Sequence, residues 1–456
     1  MYERGLFVFR QDLRIQDNIW LYHAAQNCKE LICLFVFDDI VLKQSPSKDR
    51  RLGFLIDALK QLDTQLQSVG SCLHVAKWDP ETIIPQWIQK YACDVLLCNR
   101  SYGPRSQTRD KTLQSWCRKN SVVYQDFEDF LLVEPHTVDQ RKVFTPFYKL
   151  WKKHLAQLHP DFVQGNYSLS TPTKIQSPAI NQKNQTIYDS VDAGDNAYRP
   201  VDRAQKRIQT FNLSDYEATR NNLDIDGTTR LSPYMRFGLV SIRQLFQWGI
   251  AVHKAKYWSR AAEEKNHYIS ELAWREFWYH IMHYFPETVM IEFQEKRRHI
   301  NWSRDTELLY KREMGQTGYP IVDAAMNQLR EENRMHGRAR MIVASFLTKD
   351  MLVDWRLGEK VFAKYLLDYD FAVNMGNRQW SASVWADPKP LRIFNPILQS
   401  QKFDPQALYI RKYTPVLQKK DTQAIHDPLS QSLDYIAPIV DHYAMSKKAR
   451  KIYKWA

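Results

Sequence analysis

The stretch TGYPIVDAAMNQLREENRMHGRARMIVASFLTKDMLVDWR (residues 317–356), with LLDYDFAVNMGNRQW close behind it (residues 366–380), decides how this chain reads. Its apolar residues recur at helical spacing, which predicts helices rather than strands. Four ingredients that seldom meet lie within it: the pair Arg338 and Arg340, the aspartates Asp368 and Asp370, Asn374 and Trp380. Cations suit a diphosphate or DNA phosphates, carboxylates suit ribose hydroxyls or a polar ring edge, an amide can tune a redox ring, and Trp offers a stacking plate. Each has a plainer reading alone. An R-x-R usually opens a solvated helix, and a D-x-D is usually an acidic turn. Two aspartates two residues apart point in different directions on a helix, so an irregular segment is needed to aim both at one ligand.

Outward from this stretch the chain divides. Residues beyond about 199 are almost wholly helical in pattern, in LVSIRQLFQWGIAVHKA, NHYISELAWREFWYHIMHYF, YPIVDAAMNQLREE and MIVASFLTKDMLVDW, the last running to Trp355. The first third alternates short apolar runs (Leu6–Phe9, Leu31–Phe37, Asp94–Cys98) with helical patterns such as Arg51–Val69, which predicts a parallel sheet covered by helices. No G-x-G-x-x-G follows the first run, so a standard dinucleotide turn is not expected. A Ser/Thr/Pro/Asn/Gln-rich segment from Asn166 to Ala197 reads as a connector over the surface. The expected organisation is an α/β domain at 1–130, a connector at 131–198 and an all-helical domain at 199–456.

At 456 residues the chain can form two or three domains with ample core. Its net charge of +13 favours a polyanionic partner, although solvated Lys faces would give the same figure. The six cysteines form no C-x-x-C, and several sit in apolar runs, so no metal centre is expected and a reducing compartment fits. No signal-like N-terminus and no apolar run of spanning length are present, which predicts a cytoplasmic chain without membrane contact.

Two further constellations carry chemistry. DGTTRLSPYMRFG (226–238) sets the hydroxyls of Thr228, Thr229 and Ser232 and the cation of Arg230 around Leu231, just before a predicted helix. That suits an anion cradle, or simple N-capping. In ELAWREFWYH, Glu271, Trp274, Arg275 and Trp278 fall at i, i+3, i+4 and i+7 and share one helix face. Such a face suits a planar ligand with a polar edge; the alternative is a core helix with a Glu–Arg pair.

These motifs, TGYPIVDAAM and LLDYDFAVNMGNRQW above all, closely resemble the DNA photolyase/cryptochrome family over almost the whole chain, nearest to the class I cyclobutane pyrimidine dimer photolyases. The resemblance implies an N-terminal antenna domain, a C-terminal helical FAD domain and a monomer acting on damaged DNA. It places Tyr216, Thr228, Thr229, Arg230, Leu231, Ser232, Arg340, Asp368, Tyr369, Asp370 and Asn374 around FAD, with the Asn374 amide toward flavin N5. Glu271 would hold the edge of the lesion, which Trp274 and Trp380 would sandwich and Met341 pack. Arg220, Arg275, Trp278, Gly337, Arg338 and Arg392 would complete the DNA and lesion contacts.

The chain departs from the family pattern in three places. Gly337 stands where class I members usually carry Asn, a loss on the order of 1–3 kcal/mol unless a water fills the gap. Arg378 stands in the slot of the flavin-proximal Trp, and the distal relay slot falls on Arg312 or Lys311. Only Trp355 of the usual relay is then left, and an Arg has no accessible oxidised radical. Arg105 and Ser106, within Asn99–Asp110, replace the Asn-Glu pair of folate-binding members, which counts against a folate as the second chromophore and leaves a deazaflavin, a flavin or an empty antenna site. The expected function is light-driven splitting of pyrimidine dimers by a deoxyribodipyrimidine photo-lyase. The rival is a cryptochrome-type blue-light sensor, against which the short C-terminal KKARKIYKWA counts.

Overall fold

The computed structural model describes residues 1–158, 170–180, 184–194, 201–252, 266–385 and 391–455. The chain forms two compact units that interleave along the sequence. One comprises Met1–Val138, Trp151–Phe211 and Thr229–Glu263; the other comprises Asp139–Leu150, Asn212–Thr228 and Glu264–Ala456.

The first unit is built on a five-stranded parallel sheet of order β3-β2-β1-β4-β5, from β1 (Tyr2–Phe9), β2 (Cys28–Asp38), β3 (Leu73–Trp78), β4 (Val95–Asn99) and β5 (Val123–Phe127). Its main helices are α1 (Ile19–Asn27), α2 (Arg50–Gln67), α3 (Pro80–Tyr91) and α4 (Pro104–Lys119). Leu6, Phe7, Val8 and Phe9 are all buried, as a sheet covered on both faces requires. The three expected strands are β1, β2 and β4. β5 escaped the sequence reading because it is a half-exposed edge strand with no apolar run. After β1 the chain is held by Asp12, which accepts hydrogen bonds from the Arg10 N–H and from Asn99, both at 2.7 Å.

The helix expected in LVSIRQLFQWGIAVHKA spans Ile242–Val252 and packs in this first unit rather than among the C-terminal helices. The reason is electrostatic. Buried Arg243 reaches Asp129 at 2.6 Å and Asp17 at 3.0 Å, and Arg14 holds Asp129 from the other side at 2.5 Å. Burial alone would raise the Asp129 pKa, but the two guanidiniums hold it below the usual carboxylate range. The connector is likewise fastened to the sheet: the Ile175 N–H donates to Val69 and the Leu31 N–H to Gln176, each at 2.8 Å. The rest of that segment lies partly outside the described residues.

The second unit is mostly helical, with α5 (His267–Tyr284), α6 (Pro320–Glu332), α7 (Gly337–Ser345), α8 (Trp355–Tyr365) and α9 (Phe371–Ser381). One apolar cluster gathers Ile321, Val322, Met326 and Leu329 of α6 with Val343, Phe346 and Leu347. The helix expected to run to Trp355 does not do so. α7 ends at Ser345, a single π-type turn follows at Phe346–Asp350, and Trp355 instead opens α8. Asp354 causes the restart, because its carboxylate caps the Arg356 N–H at 3.0 Å.

α9 lies hard against α5. A Cβ on Gly376 would sit 2.1 Å from the Trp278 ring, and Trp278 is 2% exposed. Gly376→Ala should therefore cost about 1–3 kcal/mol by overpacking, seen as a lowered midpoint in thermal or urea unfolding.

Candidate functional site

α9 supplies most of the site, and its N-terminus is fixed twice. Asp370 accepts the Val373 N–H at 3.1 Å as the helix cap, and it also accepts the hydroxyl of Tyr279 from α5. Farther along, buried Gln379 accepts the Phe293 N–H at 2.9 Å and donates to the carbonyls of Thr288 and Ile291. Register along the helix is thus pinned at both ends.

Before α9, residues 366–370 are irregular, as the paired aspartates demanded. Arg340 on α7 donates through Nη2 to both oxygens of Asp368, at 3.0 and 2.8 Å, and through Nε to the Met335 carbonyl at 2.9 Å. Asp368 and Asp370 therefore have different tasks, one neutralising a cation and one capping a helix. Tyr369 and Asn374 converge on Glu359 of α8, which accepts from the Tyr369 hydroxyl at 2.5 Å and from Asn374 Nδ2 at 3.2 Å. Glu359 was not singled out in the sequence, because a lone acid on an exposed-looking helix carries no signal.

One turn beyond Asn374, Arg378 is 3% exposed, and neither Nη atom has a hydrogen-bond acceptor among the described residues. Its guanidinium carbon stands 3.3 Å from the Phe362 ring centroid. Arg312 is also fully buried, with one 3.3 Å bond from Nη2 to the Val343 carbonyl. Burial depresses the Arg312 pKa to about 10 and drives that of Arg378 far below its ordinary value.

The aromatic relay also differs from the reading of the sequence. Trp355 is fully buried and donates its indole N–H to Glu292 at 3.1 Å, and Trp302 donates to the same oxygen at 3.0 Å. Trp302, not Arg312 or Lys311, is the residue that the fold brings to Trp355. It lies outside any helix, so no periodicity marked it.

Residues read as facing DNA form a second cluster. Arg220 pairs with Glu271 at 2.7 Å and lies over the Tyr216 ring. Arg338 donates to Asn221 at 2.7 Å and covers Phe403, and burial together with nearby Arg220 lowers its pKa. Trp274 is stacked on Phe144 at 3.8 Å, while Trp380 carries Arg392 over its ring at 4.6 Å. Met341 is half-buried. Arg275 and Trp278 are buried on α5, beside Tyr279 and beneath Gly376 respectively, so packing is their first role.

The loop before residue 232 is shaped by Gly227, where a Cβ would strike the Thr219 carbonyl at 2.4 Å. Thr228 closes this part of the second unit. Thr229, Arg230, Leu231 and Ser232 belong to the first unit. There the Thr229 carbonyl accepts from Arg207 at 3.1 Å, Arg230 adopts a left-handed φ of 55° and Leu231 is buried. In the same unit Arg105 is paired with Asp38 at 2.7 Å. Glu128, Glu134 and His136 also approach one another, but Arg100 already supplies the cation, 2.8 Å from Glu128.

Comparison with known proteins shows the family. Residues 268–455 match the FAD-binding domain of DNA photolyase, and residues 6–164 match the DNA photolyase domain. A deoxyribodipyrimidine photo-lyase of Alkalihalophilus pseudofirmus is 34% identical, over 98% of this chain and 97% of its own length. The chain belongs to the DNA photolyase family. An archaeal photolyase of Sulfolobus tokodaii, described with two FAD molecules, superposes with a TM-score of 0.86 at 28% identity, covering 99% of this chain and 100% of its own. A Synechocystis cryptochrome does so with 0.86 at 25% identity, covering 99% of each chain.

The second unit's residues fit the FAD that this domain binds. Arg340 is a cation for a diphosphate, the carboxylates can meet ribose hydroxyls, the Asn374 amide can meet a ring nitrogen, and Arg378 keeps two buried N–H donors. In a photolyase the Gly337 position is open: a Cβ there meets nothing within 4 Å. Gly337→Asn should fold normally, retain FAD and bind a dimer-containing oligonucleotide about five- to tenfold tighter, one hydrogen bond's worth, in a titration against undamaged DNA.

Proposed function

We propose that the protein is a light-driven DNA repair lyase that splits cyclobutane pyrimidine dimers. One observation carries the reading: within a single helical unit, matched to the FAD-binding domain of DNA photolyase, a flavin-type set (Arg340, Asp368, Asn374) coexists with an aromatic and acidic set (Glu271, Trp274, Trp380). When bound and reduced, FAD supplies under blue or near-UV light the electron that opens the dimer and takes it back afterwards, so the cycle has no net redox change. The protein's part is to bind, orient and exclude water. The net charge of +13 draws in the phosphodiester backbone without sequence preference. A dimer stacks poorly in the duplex, so swinging it out costs little beyond the few kcal/mol of an ordinary flip.

On arrival, Trp274 and Trp380 offer their free faces to the lesion. Their other faces are already covered by Phe144 and by Arg392, so each plate is rigid before binding. Glu271 receives the polar edge of the bases. Without DNA its charge is balanced by Arg220; with DNA, Arg220 turns to a phosphate and Glu271 to the lesion. The blue-light-sensor reading draws support from the Synechocystis cryptochrome's similarity and from Gly337 and Arg378. The paired stacking plates favour repair.

The purified, FAD-loaded and chemically reduced protein should restore a T–T dimer oligonucleotide under blue light but not in darkness. Glu271→Ala should lower that repair at least tenfold with FAD content within 20% of normal, roughly the loss of a charge-assisted hydrogen bond; unaltered repair would move the lesion site elsewhere. With a guanidinium in the relay, photoreduction of the oxidised protein by an external thiol should be slow, and rapid photoreduction would refute the broken relay.

A further inference from the structure

Arg378 and Arg312 are two guanidiniums buried together in the helical unit, and most of their nitrogens have no acceptor among the described residues. Arg378 is 3% exposed with both Nη atoms lacking partners, and Arg312 is fully buried with Nε and Nη1 lacking them. Burial disfavours the charge on both, yet a guanidinium starts from so high a pKa that it keeps its proton in proteins, so both remain cations. An unpaired charge in a protein interior is expensive, and proteins keep one there only where an opposite charge answers it.

The direction in which Arg378 faces narrows the choice of that charge. It follows Asn374 by four residues on α9, so the two share a helix face. Besides Arg312, the charged groups near enough to act on it are Glu359 and Arg340. Glu359 is engaged by Tyr369 and Asn374, and Arg340 by Asp368. The remaining surroundings are apolar: the Phe362 ring, and Gly358, where a Cβ would lie 3.9 Å from Nη1 and strike Leu347. Arg378 thus lies one turn beyond Asn374 on the same helix face, within electrostatic reach of Arg340, and no carboxylate among the described residues pairs with it.

We propose that Arg378 is a positioning residue for charge: its guanidinium, backed by Arg312, stabilises the negative charge that the bound flavin acquires on reduction, and so holds the cofactor in its reduced state. The proposal rests on the reading that this unit binds FAD. Two-electron reduction with uptake of one proton leaves the ring system with one negative charge, and the low local dielectric makes a fixed cation effective there. The electrons come from a cellular or added reductant, so loss of the aromatic relay at position 378 is offset by a cofactor that reduces more readily in darkness and stays reduced.

The test is a dark redox titration of the FAD-loaded protein, with dithionite and mediators, read by flavin absorbance and without DNA. Arg378→Met and Arg378→Gln should each shift the equilibrium toward oxidised flavin by tenfold or more, about 30 mV for each tenfold in the two-electron step. Arg378→Lys should stay within threefold of the natural protein. The FAD-free Arg378→Met protein should also melt above the natural FAD-free protein, since an unpaired buried charge has gone. An unchanged potential in both neutral variants overturns the proposal, as does a Lys variant shifted as far as Met, which would assign the effect to shape. A natural protein that retains no FAD fails earlier and refutes the flavin reading itself.

Discussion

The approach of α9 to α5, fixed by the missing side chain of Gly376 over the Trp278 ring, is the constraint on which the helical unit's site depends. At that separation Asp370 can cap its own helix and still receive the Tyr279 hydroxyl, and Gln379 can reach the carbonyls beyond α5. Asn374, Arg378 and Trp380 then have no freedom of register. A helix carries side chains at fixed angles, so pinning its two ends sets where an amide, a cation and an indole point. Site residues on rigid elements are held more closely than residues on loops. Trp274 and Trp380 are similarly held, by Phe144 and by Arg392.

Charge is distributed unevenly around this helix. Among the described residues, the carboxylates of Asp368, Asp370 and Glu359 beside it are committed: Asp368 to Arg340, Asp370 to Val373 and Tyr279, Glu359 to Tyr369 and Asn374. The guanidiniums of Arg378 and Arg312 are left over. A core selected for stability alone would place apolar side chains there, because a buried ion lacking its partner costs more than its packing returns. Breaches of local consistency of this kind concentrate at functional sites. In the first unit the opposite holds: Arg14 and Arg243 share Asp129, and that network fastens the Ile242–Val252 helix to the sheet unit.

The β1, β2 and β4 strands and the helical character of the second unit were legible in the sequence, because apolar periodicity is local, and the motif spacing was enough to indicate the family. What escaped was set by contacts distant in sequence. The Ile242–Val252 helix joined the first unit through Arg243 reaching Asp17 and Asp129, each over a hundred residues away. The break before Trp355 came from Asp354 competing as a cap and from a left-handed Leu352. Trp278 shared a face with Glu271 and Trp274 as its spacing required, yet that face is wide enough for one edge to pack on α9 and the other to remain open. Glu359 and Trp302 had no pattern to announce them.

Trp302 alters how the relay slot at Arg378 is understood. Glu292 accepts both indole N–H groups on one oxygen, and although burial raises its pKa, the Arg356 and Trp355 hydrogen bonds bring it below the ordinary value. An ionised carboxylate touching two indoles favours positive charge on either ring, so Trp302 and Trp355 are a pair biased toward giving up an electron. Arg378 exerts the opposite field. If position 378 is the flavin-proximal relay slot that the family resemblance implies, a cation there opposes a positive hole moving outward, and it cannot itself carry the hole. On the proposed reading the chain keeps the outer donors of a relay and interrupts its inner end with a charge, favouring a flavin held reduced over a flavin re-reduced by light.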